Sequence, residues 1–96
     1  MMFKIYEIDT RTILAVCDKE HLGKTFEQGE LCFKASEKFY GGEEITSEDL
    51  EKLLGQVDSA NLFGNKCVDI ALKKGLISEK SVINICGVKH AQIYRM

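Results

Sequence analysis

Leu50, Leu53, Leu54 and Val57 fall at i, i+3, i+4 and i+7, the spacing that lines one side of an α-helix with apolar groups. A short amphipathic helix has little stability of its own in water, so this stripe must rest on a second layer of structure. Thr46 ahead of it is an N-cap, with Asp49 three residues on. Asp58 to Asn61 reads as a polar junction, and a second helix is expected from Leu62 or Asn65 to Lys74. Val68, Ala71 and Leu72 form its inner stripe, widened by Cys67 and Ile70. Lys73 and Lys74 suit the negative end of the helix dipole, and Gly75 suits the C′ position with Leu76 folding back.

The second layer comes from extended segments on either side. Phe3 to Ile8 reads as a strand, Asp9 to Thr12 as a polar turn, and the unbroken apolar run Ile13 to Cys17 as a central strand. A hairpin between the two is the simplest arrangement. Asp18 is expected to cap a short helical stretch from Lys19 to about Phe26, broken at Gly23 and ended at Gly29. Leu31, Phe33 and Ala35 alternate with Cys32, Lys34 and Ser36, a period of two. Glu43 to Ile45 is a short extended piece, and Ser78 caps one further turn. Val82 to Cys86 reads as a buried strand, and Gly87-Val88-Lys89 as a turn into a last strand from His90 to Arg95. In that strand His90, Gln92 and Tyr94 share one face, with Ala91 and Ile93 on the other. The expected fold class is therefore α+β: a two-layer sandwich, mostly antiparallel, with two main helices on one face.

Ninety-six residues suit a single domain spanning the whole chain, and no linker, repeat or proline interrupts it. A hydrophobic content of 45% supports a core without help from metal or disulfide. The formal net charge of −2 leaves no whole-domain field to gather nucleic acid or anionic lipid, although Lys34 with Lys38, or Lys73 with Lys74, can form local patches. No apolar run reaches membrane-spanning length, and Met1 to Glu7 lacks the pattern of a secretion signal. Cys17, Cys32, Cys67 and Cys86 lack C-x-x-C spacing and have apolar neighbours, so they read as core thiols of a reducing, cytoplasmic compartment.

Candidate chemistry is sparse. Leu22-Gly23-Lys24-Thr25 resembles the end of a phosphate-binding loop, but Asp18 stands where that motif needs its first glycine, leaving only Lys24 as an anion contact. No close pair of ligands marks a metal site, and no cofactor is expected. One enzymatic arrangement can be made specific: Cys17 as a nucleophile beside a helix start, His90 as its base, and Asp18, Asn61 or Gln92 orienting the imidazole. Binding makes fewer demands of the same residues. Tyr40, Gly41, Gly42, Asn61, His90 and Gln92 are the polar and glycine types that line ligand sites. Phe33, Phe39 and Tyr40 near Lys34 and Lys38 give a weak hint of RNA contact.

Five blocks recur in an order that resembles a known family. They are Val16-Cys17-Asp18, Leu22-Gly23-Lys24, Phe39-Tyr40-Gly41-Gly42, Ala60-Asn61-Leu62 with Gly64, and Gly87-Val88 with His90-Ala91-Gln92. Together they are similar to an archaeal family of small proteins known as domain of unknown function 424, over about Ile13 to Gln92. Lys89 stands where that pattern often has proline before the histidine. The resemblance implies an archaeal cytoplasmic origin and a compact α+β fold, and it carries no activity or catalytic residue. The leading functional expectation is a cytoplasmic binding or accessory module, serving RNA or the protein-synthesis machinery. A small Cys17/His90 enzyme and a structural or oligomerisation subunit are the alternatives, with the oligomeric state open.

Overall fold

The computed structural model describes residues 1–94. Strands β1 (Met2–Ile8) and β2 (Arg11–Cys17) form the expected hairpin, closed by a turn at Asp9, whose φ is +58°. β3 (Thr25–Gln28) and β4 (Leu31–Lys34) form a second, separate hairpin. Then come α1 (Glu37–Tyr40), β5 (Glu43–Glu44) and α2 (Ser47–Leu54), followed by β6 (Ser59–Phe63) and α3 (Asn65–Lys73). β7 (Ile83–Ile85) and β8 (Val88–Tyr94) end the described chain. The main sheet has the order β5-β1-β2-β6-β8-β7 and is antiparallel except where β2 runs parallel to β6. A parallel pair needs a long crossover; here it is residues 18–58, which carry the small hairpin, α1, β5 and α2.

Period-two alternation divides the sheet into two faces. Leu14, Val16, Ala60, Leu62, Ala91 and Ile93 point to one side and pack with Leu50, Leu54, Val57, Val68 and Ala71 of the α2–α3 layer. That is the expected helical face. Ala15, Cys17, Phe63, Ile85 and Val88 point to the other side, where Ala35, Tyr40, Phe26 and Phe33 cover one end of it. The second cover is therefore the β3–β4 hairpin with α1. Phe33 points inward, its ring centroid 4.4 Å from that of Phe63.

Both main helices end as their residues predict. The Thr46 hydroxyl accepts from the Asp49 N–H at the start of α2. At the end of α3, Gly75 (φ +74°) donates to Leu72 O and Leu76 donates to Ala71 O, the paired bonds of a Schellman cap.

Several local expectations are overturned. Lys19 to Phe26 is not helical: a single 3-10 turn (Lys19–His21) leads into β3, because Gly23 at φ +83° reverses the chain and Phe26 finds its cross-strand partner in Phe33. Asp58 to Asn61 is not a junction, since Ser59 begins β6. Its polar residues Ser59 and Asn61 lie on the half-covered face while Ala60 and Leu62 are buried under the helices. β7 is an edge strand in which Ile85 is buried but Ile83 is 56% exposed. The turn after it is Cys86-Gly87, both at positive φ as two-residue hairpins require, so Val88 and Lys89 already belong to β8. Cys32 and Cys86 are exposed free thiols, unlike the core thiols Cys17 and Cys67. Arg95 lies outside the described residues.

Asp18 also departs from its expected place. Its side chain makes no cap bond to the turn that follows it. It crosses to α3 instead, accepting from Lys66 N at 2.8 Å and Cys67 N at 3.2 Å. These are the second and third amides of α3, the ones an N-cap side chain normally serves, and the N-cap residue there, Gly64, has no side chain. A Cβ on Gly64 would lie 2.2 Å from the Asp18 carboxyl carbon, and φ at this glycine is +133°. The carboxylate occupies the volume that the missing side chain leaves.

Gly64→Ala is therefore expected to cost about 3 kcal/mol or more, from strain plus loss of the cap. Asp18→Ala is expected to cost about 1–3 kcal/mol. Urea unfolding checks both, and the double variant should cost clearly less than the sum, because removing the carboxylate removes the clash. Strict additivity would contradict the shared-space account.

Candidate functional site

On the second face the strand registers align side chains in rows. Tyr6, Ile13, Ser59 and Tyr94 form one row, Lys4, Ala15, Asn61 and Gln92 the next, and Met2, Cys17, Phe63 and His90 a third. The β3–β4 hairpin covers the third row. Over the first two the face opens into a cleft of about 150 Å³ lined by Ile13, Phe39, Ser59, Asn61, Gln92 and Tyr94. Phe39 is held on α1 by stacking on Tyr6, whose hydroxyl donates to Phe39 O at 2.7 Å. Tyr94 is 74% exposed and its hydroxyl donates to Gln92 Oε1 at 2.7 Å.

Asn61 joins the cleft to the covered side. Its Oδ1 accepts a short hydrogen bond from the Tyr40 hydroxyl and lies 3.3 Å from His90 Nε2. With one oxygen as the shared acceptor, the imidazole is the tautomer protonated at Nε2. Burial holds the Tyr40 phenol well above its usual pKa, so it remains a donor. Burial also lowers the pKa of His90, which packs its ring against Phe33 at 5.3 Å. The result is a neutral, fully donated Tyr40–Asn61–His90 chain linking α1, β6 and β8.

Of the sequence candidates, Tyr40, Asn61, His90 and Gln92 come together. Cys17 does not join them as a nucleophile. It is wholly buried, its thiol donates to Asp18 O at 3.3 Å, and burial, with Asp18 and Glu20 nearby, pushes its pKa up to about 12. Phe63 stands between Cys17 and His90 in the row; two strand spacings, about 9–10 Å, exceed hydrogen-bond reach. Gly41 and Gly42 are needed for the chain itself: a Cβ would lie 2.5 Å from Glu37 O and 2.7 Å from Phe3 O respectively. Lys24 sits exposed between the 3-10 turn and β3, away from the cleft.

Asp18, Glu20 and His21 place potential ligand atoms within 4.8 Å of one another. Both Asp18 oxygens already accept amide hydrogens from α3, so the group is a helix cap beside a packed imidazole. Ile13 and Ser59 are cleft residues that the sequence did not single out. Their signal lies in pairing across β2 and β6, which no local window contains.

His90 sets a pH dependence. Its folded pKa is below the ordinary 6.5, so below that value the unfolded chain binds more protons. Stability is expected to be full above about pH 6.5 and to fall as pH drops towards the folded pKa. His90→Gln should flatten this slope in a urea series across pH 4.5–7.5. An unchanged slope would contradict the neutral-donor assignment.

No curated protein matches this chain. Its fold is similar to that of an uncharacterised conserved protein from Methanopyrus kandleri, at a TM-score of 0.78 and 20% identity, over 99% of this chain and 93% of that one. The sequence profile of a family described as "Protein of unknown function (DUF424)" matches residues 6–96, which include the cleft, the Tyr40–Asn61–His90 chain and the Asp18 cap. The chain belongs to that family.

Proposed function

We propose that this protein is a non-enzymatic binding module, cytoplasmic as its free thiols suggest, whose working surface is the open end of its sheet. The observation that carries this is the cleft between Phe39 and Tyr94, floored by Ile13 and edged by the amides of Asn61 and Gln92. At about 150 Å³ it falls below the ~300–1,000 Å³ of sites that enclose a whole small molecule. It suits one flat ring presented by a larger partner. Aromatic walls stack on such a ring, and carboxamides match the donor and acceptor pattern of a nucleobase edge. Single-stranded RNA is the partner of that chemistry, in keeping with a role beside RNA or the protein-synthesis machinery.

Charge sets the expected strength. Lys4 and Arg11 share the face with the cleft, while the whole chain carries −2. Two phosphate contacts give a salt slope of only about −1.4 for a single strand, so binding is weak and rests on stacking. The thiol-enzyme alternative has no activated thiolate to use, with Cys17 buried and its pKa near 12.

Titrating short oligoribonucleotides into labelled protein at low salt tests the proposal by NMR. Shifts should centre on Ile13, Phe39, Asn61, Gln92 and Tyr94, and Phe39→Ala with Tyr94→Ala should weaken binding about tenfold or more, on ~1–3 kcal/mol per stacked base. Absence of binding by every homopolymer, or shifts confined to Lys73 and Lys74, would overturn it.

A further inference from the structure

β8 is longer than its outer neighbour. β7 pairs with it only from Val88 to His90, and its first residue, Ile83, lies opposite His90. Among the described residues, Ala91 to Tyr94 pair with β6 on one side and with no strand on the other. The free stretch is about 13 Å long, at ~3.3 Å per residue.

The direction of its backbone groups follows from the bonds around it. Gly64 N–H donates to Lys89 O, so Lys89, Ala91 and Ile93 turn their backbone groups toward β6. The two-residue Cys86-Gly87 turn makes Ile85 and Val88 a hydrogen-bonded pair, so Val88 and His90 turn theirs toward β7. By the same alternation Gln92 and Tyr94 present N–H and C=O outward, beyond the end of β7. Among the described residues no hydrogen bond reaches those groups across that edge. An unpaired edge of this kind is a template for another strand.

Beside it lies a recess of about 410 Å³ on the helical side, between the 75–81 segment and β8. Leu76, Ile77 and Ile93 give it an apolar wall. The recess lies where a residue added opposite Ile93 would project, because directly opposed residues on neighbouring strands point to the same face.

We infer that this edge takes up an extended segment of a partner protein by strand addition, with backbone bonds to Gln92 and Tyr94 and one apolar side chain in the recess. The pattern it selects is polar-apolar-polar: the outer two residues exchange backbone bonds with Gln92 and Tyr94, and the middle one enters the recess. A second copy of this chain fits less well. Pairing β8 with β8 would bring up Ala91 and Ile93, which are 2% and 6% exposed and already committed to their own core. The bonds use the backbone of Gln92 and Tyr94 and the recess lies on the helical face, whereas the RNA cleft is built from their side chains with Phe39 on the other face.

The probe is the capped pentapeptide Thr-Val-Thr-Val-Thr, titrated into the full ¹⁵N-labelled chain. In the free protein the Gln92 and Tyr94 amides should exchange with solvent quickly while Ala91 and Ile93 are protected, and peptide should slow the exposed pair. N-methylating the central threonine removes an inward N–H in either register and should weaken binding about tenfold, the equivalent of one hydrogen bond. N-methylating the first valine blocks only an outward N–H and should change affinity by less than about threefold. Ile77→Asp, in the wall of the recess, should abolish binding, while Phe39→Ala should leave peptide binding intact and weaken only RNA binding. Failure of the peptide to bind at millimolar concentration, or equal binding by both methylated forms, would overturn the inference. So would Gln92 and Tyr94 amides already protected in a dimer seen by light scattering.

Discussion

The carboxylate of Asp18 sits where β2, β6 and α3 meet, and the positions of all three depend on it. Its backbone N–H donates to Phe63 O at the end of the parallel pair, while its side chain caps the first amides of α3. A charge 1% exposed is tolerated only with strong donors around it, and the positive end of a helix supplies them. Gly64 is the complementary half, since its missing side chain leaves room for the carboxyl group. At the other end of the pair, Asp58 accepts from Thr12 N and donates its own N–H to Thr12 O. The parallel strands are thus tied at both ends by aspartates, and Asn61 lies between the two ties.

That placement underlies the proposal of a binding site rather than a catalytic one. The face of the sheet near Asp18 is the covered one, and the burial that makes its hydrogen bonds strong also raises the Cys17 and Cys67 thiols. Asp18 raises them further. These two buried thiols are therefore held protonated, while the uncovered end of the face holds amides, a hydroxyl and aromatic rings. Tyr40–Asn61–His90 marks the boundary, and its neutral hydrogen bonds fix the Asn61 amide without adding charge.

Much of this was legible in the residues. The α2 and α3 stripes, the Thr46 cap, the Gly75 cap, the β1–β2 hairpin and the alternation along β8 follow from patterns within about ten positions, where local physics decides. Asn61, Gln92, His90 and Tyr40 were singled out by type, and the fold brings them together. What escaped was non-local. β6 reads as a junction because Ser59 and Asn61 face a half-open surface, and β3 reads as helical because its partner lies beyond Gly29. Asp18 reads as a local cap because nothing in the sequence shows that its amides are 48 and 49 residues away. Lys89 donates its N–H to Asn65 Oδ1 and its Nζ to Asp69, two bonds that a proline at this position could not make.

Native-state hydrogen exchange of the Lys66 and Cys67 amides tests the central tie most directly. Amides in the first turn of a helix ordinarily exchange through fraying, at little cost. With Asp18 as their acceptor, both should open only with global unfolding, and Asp18→Ala should release them selectively while amides in the middle of α3 stay protected. Fast exchange of Lys66 and Cys67 in the unaltered chain would show that the carboxylate does not hold α3 to the sheet.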